Sequence, residues 1–300
     1  RQTDRERARR KRRDATRQTS SRMALRACSA PCGTPARWHA ATTAAALHAN
    51  ETGHRTRELG FRRWRDPSKR RAIFASVCGK IGVHCEFMPT GHRWMIPGLA
   101  QTLKFTGPSV EVGVYRGAFS MEIMNRWPSG GRHLLVDAWS SFNASCNHAA
   151  KKNKHKLGDK QCRFTQSRFD ATYQQVLRMV AKSRHARRSI VQKNLSVSAA
   201  ATVAEHSLDF AYIDARHDYD GVLEDLKAWW PKLCPGGLLA GHDYDNVMFM
   251  PVPRAVGDFV RGLGAAADGT VPTLFITADH PASWFLFKPP RACTDRVAVL

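Results

Sequence analysis

The stretch Ser109-Val110-Glu111-Val112-Gly113-Val114-Tyr115-Arg116-Gly117-Ala118-Phe119-Ser120 most constrains what this chain can fold into. It opens as a short apolar, β-branched run, the pattern of a strand buried in a parallel sheet. The run breaks at Gly113 and Gly117, then resumes as an amphipathic segment through Ile123 and Met124 to Trp127. A strand, a glycine turn and a helix start bring backbone N–H groups close to a ligand, because glycine bends the chain and leaves no Cβ in the way. Glu111 at the strand's end suits a cationic or hydroxyl-rich ligand better than a pyrophosphate. A plain tight turn in any α/β domain is the alternative.

From Ser109 onward strands and helices alternate. Leu134–Asp137 reads as a second strand ending in a carboxylate, Ser189–Val191 as a third, Leu208–Asp214 as a fourth and Leu238–Gly241 as a fifth. Helical stripes separate them: Phe169, Tyr173, Val176, Leu177 and Val180 on one, and Val222, Leu223, Leu226, Trp229, Trp230 and Leu233 on another. Pro235-Gly236-Gly237 is expected to end the second of these. After a helix near Val256 to Leu263, two last strands, Thr273–Thr277 and Ser283–Lys288, flank the Asp279-His280-Pro281 turn and should form an antiparallel hairpin at one edge. The alternation predicts an α/β fold: a Rossmann-like, doubly wound, seven-stranded, mostly parallel sheet with an antiparallel final strand and helices on both faces. Upstream, Met95, Leu99 and Leu103 recur at helical spacing.

Charge refines the organisation. The formal net charge is +22, but residues 1–71 hold 20 Lys/Arg against 6 Asp/Glu, and residues 151–193 hold 13 against 2. The remainder carries 14 basic and 17 acidic residues. The excess is therefore a tail plus one basic segment, not a basic face spread over the fold. We divide the chain into a disordered basic, low-complexity extension (1–71), a helical lead-in (72–108), an α/β domain (109–290) and a tail (291–300). Within the extension, residues 54–71 could form a basic helix. Residues 23–50 have the composition of an organellar transit segment; otherwise the expected compartment is the cytoplasm. The chain does not begin with Met, so a fragment or processed product is one reading. Eight cysteines at irregular spacing suggest reduced thiols rather than a disulfide framework. No apolar run approaches a membrane span in length.

In a doubly wound sheet the ligand lies beyond the carboxyl ends of the strands, where the strand order reverses. Those ends offer Glu111 and Gly113 to Gly117, Asp137, Asn194 and Ser196, Asp214 and His217, and His242 and Asp243. A carboxylate at the place of Asp137 suits a ribose diol; a helix cap or loop ion pair is the alternative there.

Taken together, Glu111-x-Gly113-x-x-x-Gly117, Asp137, the run from Tyr212 to Tyr219 and the run from Pro235 to Tyr244 resemble class I S-adenosylmethionine-dependent methyltransferases, in particular methyltransferase family 24. The resemblance covers roughly Gly107 to Lys288. It implies that Glu111, Gly113 and Gly117 line the methionine moiety with Ser120 nearby, that Asp137 holds the ribose, and that Asn194 and Ser196 lie at the adenine. It further implies O-methylation of a small-molecule or sugar hydroxyl. The acceptor side admits two versions. In one, Asp214, His242 and Asp243 ligate magnesium or manganese. In the other, His217 or His242 acts as a base beside Asp214 with no metal. A cap on the following helix by Asp214, His217 or Asp218 is the structural alternative. Trp139, Tyr219 and Tyr244 either bound the acceptor pocket or belong to the core. The lysines between 151 and 156 would steer an anionic acceptor or simply be solvated. Two rivals remain: a dinucleotide-dependent oxidoreductase, which would want Gly-x-Gly-x-x-Gly at the first turn, and a non-catalytic RNA-binding protein acting through the tail.

Overall fold

The computed structural model describes residues 67–88, 91–141, 161, 164–244, 251–265, 269 and 271–289. The arginine-rich arm, the candidate transit segment, the lysine cluster of 151–156 and the 291–300 tail lie outside the described residues.

Among the described residues, eight strands form one sheet: β1 (Cys85–Phe87), β2 (Ser109–Val112), β3 (His133–Asp137), β4 (Ser189–Lys193), β5 (Leu208–Ile213), β6 (Leu233–Gly241), β7 (Leu274–Ile276) and β8 (Trp284–Phe287). Their order is β1-β7-β8-β6-β5-β2-β3-β4. All neighbours are parallel except β8, which runs antiparallel between β6 and β7. The seven expected strands are present, joined by β1 from the lead-in. The terminal hairpin is therefore not at the edge, because β1 pairs with the far side of β7. A three-residue strand gives too short a period to read from sequence.

One further expectation is corrected. Pro235-Gly236-Gly237 does not separate helix from strand; it lies inside β6. Pairing with β5 jumps from Leu208↔Leu233 to Phe210↔Leu238, so the extra residues bulge out of the ladder. Proline and two glycines suit such a bulge, which needs no regular donor.

Among the described residues, seven α-helices flank the sheet: α1 (Pro67–Ile81), α2 (Met95–Thr102), α3 (Ala118–Arg126), α4 (Gln166–Lys182), α5 (Ser196–Ala201), α6 (Tyr219–Trp229) and α7 (Pro251–Leu263). Side-chain alternation along each strand sorts them into two layers. On β5, Ala211 and Ile213 face one cluster, with Phe74 of α1, Ala199 of α5, Leu226 of α6 and Val256 of α7. Phe210 and Tyr212 face the other, with Leu99 of α2 and Ile123 of α3. Leu135 meets Val176 of α4 on that second side.

Cys78 of α1 and Cys85 of β1 form a disulfide seven residues apart, which corrects the expectation of reduced thiols for this pair. Among the described residues no helix is long and apolar enough to cross a membrane.

Candidate active site at the carboxyl edge

The register brings the ends of four strands level. Val112 lies beside both Val136 and Ile213, and Ile213 beside Gly241. The chain leaves β2 toward β3 and β4 on one side and returns through β5 and β6 on the other, so the switch point falls between β2 and β5. Of the five described non-glycine residues with positive φ, three border this edge: Tyr115, Trp139 and Asp243. Left-handed backbone at bulky residues is costly and gathers where a site demands it.

On the β2–β3 side, Gly113 adopts φ 93°. A Cβ there would overlap the carbonyl group of Asp214, so the position has no room for any other residue. Gly117 adopts φ 77° at the N-cap of α3, and the space its side chain would take is filled by the Met179 methyl of α4. The glycines thus permit close chain approach, one to β5 and one to α4. Ser120 donates to Glu111 Oε2, and both are buried. Burial pushes the Glu111 carboxyl up to about 8, with the nearby Asp214 adding to the shift while Ser120 and Arg93 oppose it. Asp137 accepts from the Tyr115 amide at 2.8 Å on one oxygen and from the Trp139 amide at 2.7 Å on the other. Burial raises its pKa against the pull of those two bonds. Each oxygen keeps a lone pair for a diol. The two turns are tied together by the Trp139 indole, which donates to the Tyr115 carbonyl at 2.9 Å.

Asn194 sits beside this cradle, its amide donating to the Asp137 carbonyl at 3.0 Å and its side chain accepting from the Leu195 amide. Ser196 is otherwise employed. Its hydroxyl accepts from Trp229 Nε1 at 2.9 Å and also bonds Asp225, fastening α5 to α6.

Across the switch point, Asp214, His217, His242 and Asp243 converge. His217 Nε2 lies 3.0 Å from Asp243 Oδ2 and 3.6 Å from Asp214 Oδ1. His242 Nδ1 lies 3.6 Å from Asp243 Oδ1 and 3.9 Å from Asp214 Oδ1. Burial of Asp243 is outweighed by the two imidazoles, which hold its carboxyl well below the usual range. The helix cap is Asp218, which accepts from the Gly221 amide at 2.9 Å, so Asp214 and His217 are not needed for capping. Trp139 and Tyr244 are core residues, and the Tyr219 hydroxyl donates to Asp258 between α6 and α7.

Sequence reasoning missed Arg93. It precedes α2, and its guanidinium lies 4.2 Å from the Phe119 ring centre. Nη2 donates to Asp214 Oδ2 at 3.3 Å, and Nη1 approaches His242 Nε2 at 3.4 Å. Because guanidinium only donates, a hydrogen bond at this contact has His242 Nε2 as its acceptor. No spacing rule links residue 93 to residues 214 and 242.

These contacts bear on magnesium through the donor set. The atoms that come within 4.8 Å of one another belong to Asp214, His217 and Asp243, with His217 standing where His242 was expected. An imidazole in the set is foreign to magnesium, which takes oxygen. Moreover, Arg93 already sets a fixed positive charge against Asp214. The residues present do not fit a resident magnesium ion.

Residues 110–244 match a family model described as a methyltransferase domain. That match bears out, over those residues, the resemblance to methyltransferase family 24. Among solved structures, a Corynebacterium glutamicum protein is 13% identical, covering 84% of this chain and 99% of its own, with a TM-score of 0.44. The O-methyltransferase NovP is 15% identical, covering 65% of this chain and 77% of its own, with a TM-score of 0.46. A methyltransferase from Geobacter sulfurreducens is 13% identical, covering 82% and 96%, with a TM-score of 0.43. No curated protein matches the chain.

Proposed function

We propose that this protein methylates a hydroxyl of a small molecule or sugar, using S-adenosylmethionine and an imidazole base. One observation carries the reading: the N–H-cradled carboxylate of Asp137 and the His217–Asp243 pair share one sheet edge, on either side of the switch point. When bound, S-adenosylmethionine supplies an electrophilic methyl group on a sulfonium cation. Asp137 would hold its ribose hydroxyls, and Glu111 would place a carboxyl beneath the cation. His217 is the base in this reading, because Arg93 occupies His242 Nε2. Asp243, ionised at any working pH, orients His217 and supports the imidazolium formed when the acceptor hydroxyl gives up its proton. Holding donor and acceptor in line supplies most of the acceleration.

A methyl-transfer assay across hydroxylated metabolites, with and without chelator, tests this. Chelator-resistant product formation is expected; binding of NAD instead of S-adenosylmethionine in calorimetry would favour the oxidoreductase rival. The Cys78–Cys85 disulfide supports an oxidising compartment over the cytosol, where thiols are kept reduced.

A further inference from the structure

Arg93 belongs to a short turn, Gly91 to Trp94, that precedes the matched domain and is latched to the far end of the chain. The Arg93 amide donates to Asp279 Oδ2 at 2.9 Å, and the Ala278 amide donates to the Gly91 carbonyl at 2.7 Å. The guanidinium is walled by Phe119 at 4.2 Å, Tyr212 at 5.4 Å and Trp94 at 5.6 Å. These rings exclude water while their faces attract the cation. Its side chain is 18% exposed, so it still reaches the open edge. Its Nε–H is buried with no hydrogen-bond partner among the described residues. Elsewhere the fork is aimed at Asp214 and His242, two of the three groups expected to take a divalent ion.

We propose that Arg93 is the resident cation of the acceptor site, doing through its guanidinium what a divalent metal would otherwise do. This rests on the methyltransferase reading above. It holds Asp214 in place and meets the negative charge that develops on the acceptor oxygen. As the hydroxyl proton passes to His217, the oxygen lone pair forms the new bond to the methyl carbon. The carbon–sulfur bond breaks with its electron pair passing to sulfur. Arg93 stays protonated throughout, since its charge is permanent in the working range. Preorganised charge at a developing oxyanion is commonly the largest single contribution to catalysis.

The test titrates Mn²⁺ into the purified protein and follows the free-ion paramagnetic resonance signal, alongside calorimetry with S-adenosylmethionine. Wild type is expected to leave the Mn²⁺ signal undiminished at equimolar protein, and Arg93→Met to deplete it. Arg93→Met should also lower kcat by about 100-fold with cofactor affinity unchanged, and Arg93→Lys should recover part of that loss without metal. Stoichiometric Mn²⁺ uptake by wild type, or full kcat in Arg93→Met, would overturn the proposal. Absence of any heat with S-adenosylmethionine would instead sink the methyltransferase reading, which the Mn²⁺ arm does not depend on. If Arg93→Met fails to fold, the wild-type titration and Arg93→Lys still decide.

Discussion

The two halves of the site are built differently. The cofactor half comes from chain that is nearly contiguous: β2, its glycine turn, α3 and the end of β3, all between Ser109 and Trp139. Its contacts are mostly backbone N–H groups on a carboxylate. The acceptor half is assembled from Arg93, Asp214 to His217, His242 with Asp243, and the Asp279 latch. Its contacts are side chain on side chain, between charges. A half made of local backbone geometry is a motif; a half made of distant charges exists only once the sheet has formed.

That contrast can be broken at either half, and the largest effect is expected where they touch. Gly113→Ala would drive a methyl group into the Asp214 carbonyl at a φ of 93°, disrupting both halves. A stability loss of about 3 kcal/mol or more is expected in thermal or urea melts; a wild-type melt would disprove the close approach. Asp214→Ala should lower kcat by roughly 10²–10³-fold while the dissociation constant for S-adenosylmethionine stays put. The reverse pattern is expected for Asp137→Ala. Losing the cradle and the diol contacts should weaken cofactor binding by about 2–3 kcal/mol in calorimetry.

A smaller effect concerns pH. The Glu111 carboxyl sits near 8 when folded, above its ordinary 4.5, so folding favours the protonated form. Stability of the free protein should therefore fall as pH rises from the ordinary value to about 8 and then level off. A bound cation favours the carboxylate, so binding releases a proton and affinity for S-adenosylmethionine should rise over that window. S-adenosylhomocysteine, lacking the sulfonium charge, should show the weaker dependence. Glu111→Gln should flatten both curves; an unchanged pH profile would remove Glu111 from the cation's surroundings. Smallest of all, Ser196→Ala should leave cofactor affinity unaltered and cost about 1 kcal/mol of stability through the orphaned Trp229 indole. A clear loss of affinity would return Ser196 to the adenine site.

The cofactor half was the more legible in advance. One strand–turn–helix pattern and the next strand end point to Glu111, Gly113, Gly117, Ser120 and Asp137, and all five lie in the two turns or directly under them. Ser196 stands out in the sequence for its place after β4, yet its hydroxyl bonds Trp229 in helix packing, a contact 33 residues away that no local rule reports. On the acceptor side, Asp214, His217, His242 and Asp243 were each identifiable as strand-end polar residues. Which imidazole pairs most tightly with Asp243 was not readable, because it depends on the left-handed turn at Asp243. Arg93 left no local signal at all.

By itself the sequence determined the alternation of strands and helices, the glycine turn and the polar residue at each strand end, since these depend on hydrophobic period and on the steric demands of single residues. The tertiary structure decided that β1 extends the sheet, that a Pro-Gly-Gly run bulges inside β6, and that Arg93 lies beside Asp214. Those outcomes turn on which distant segments come within a few ångströms of each other. Charge and packing act through space, and the order of residues along a chain does not record that distance.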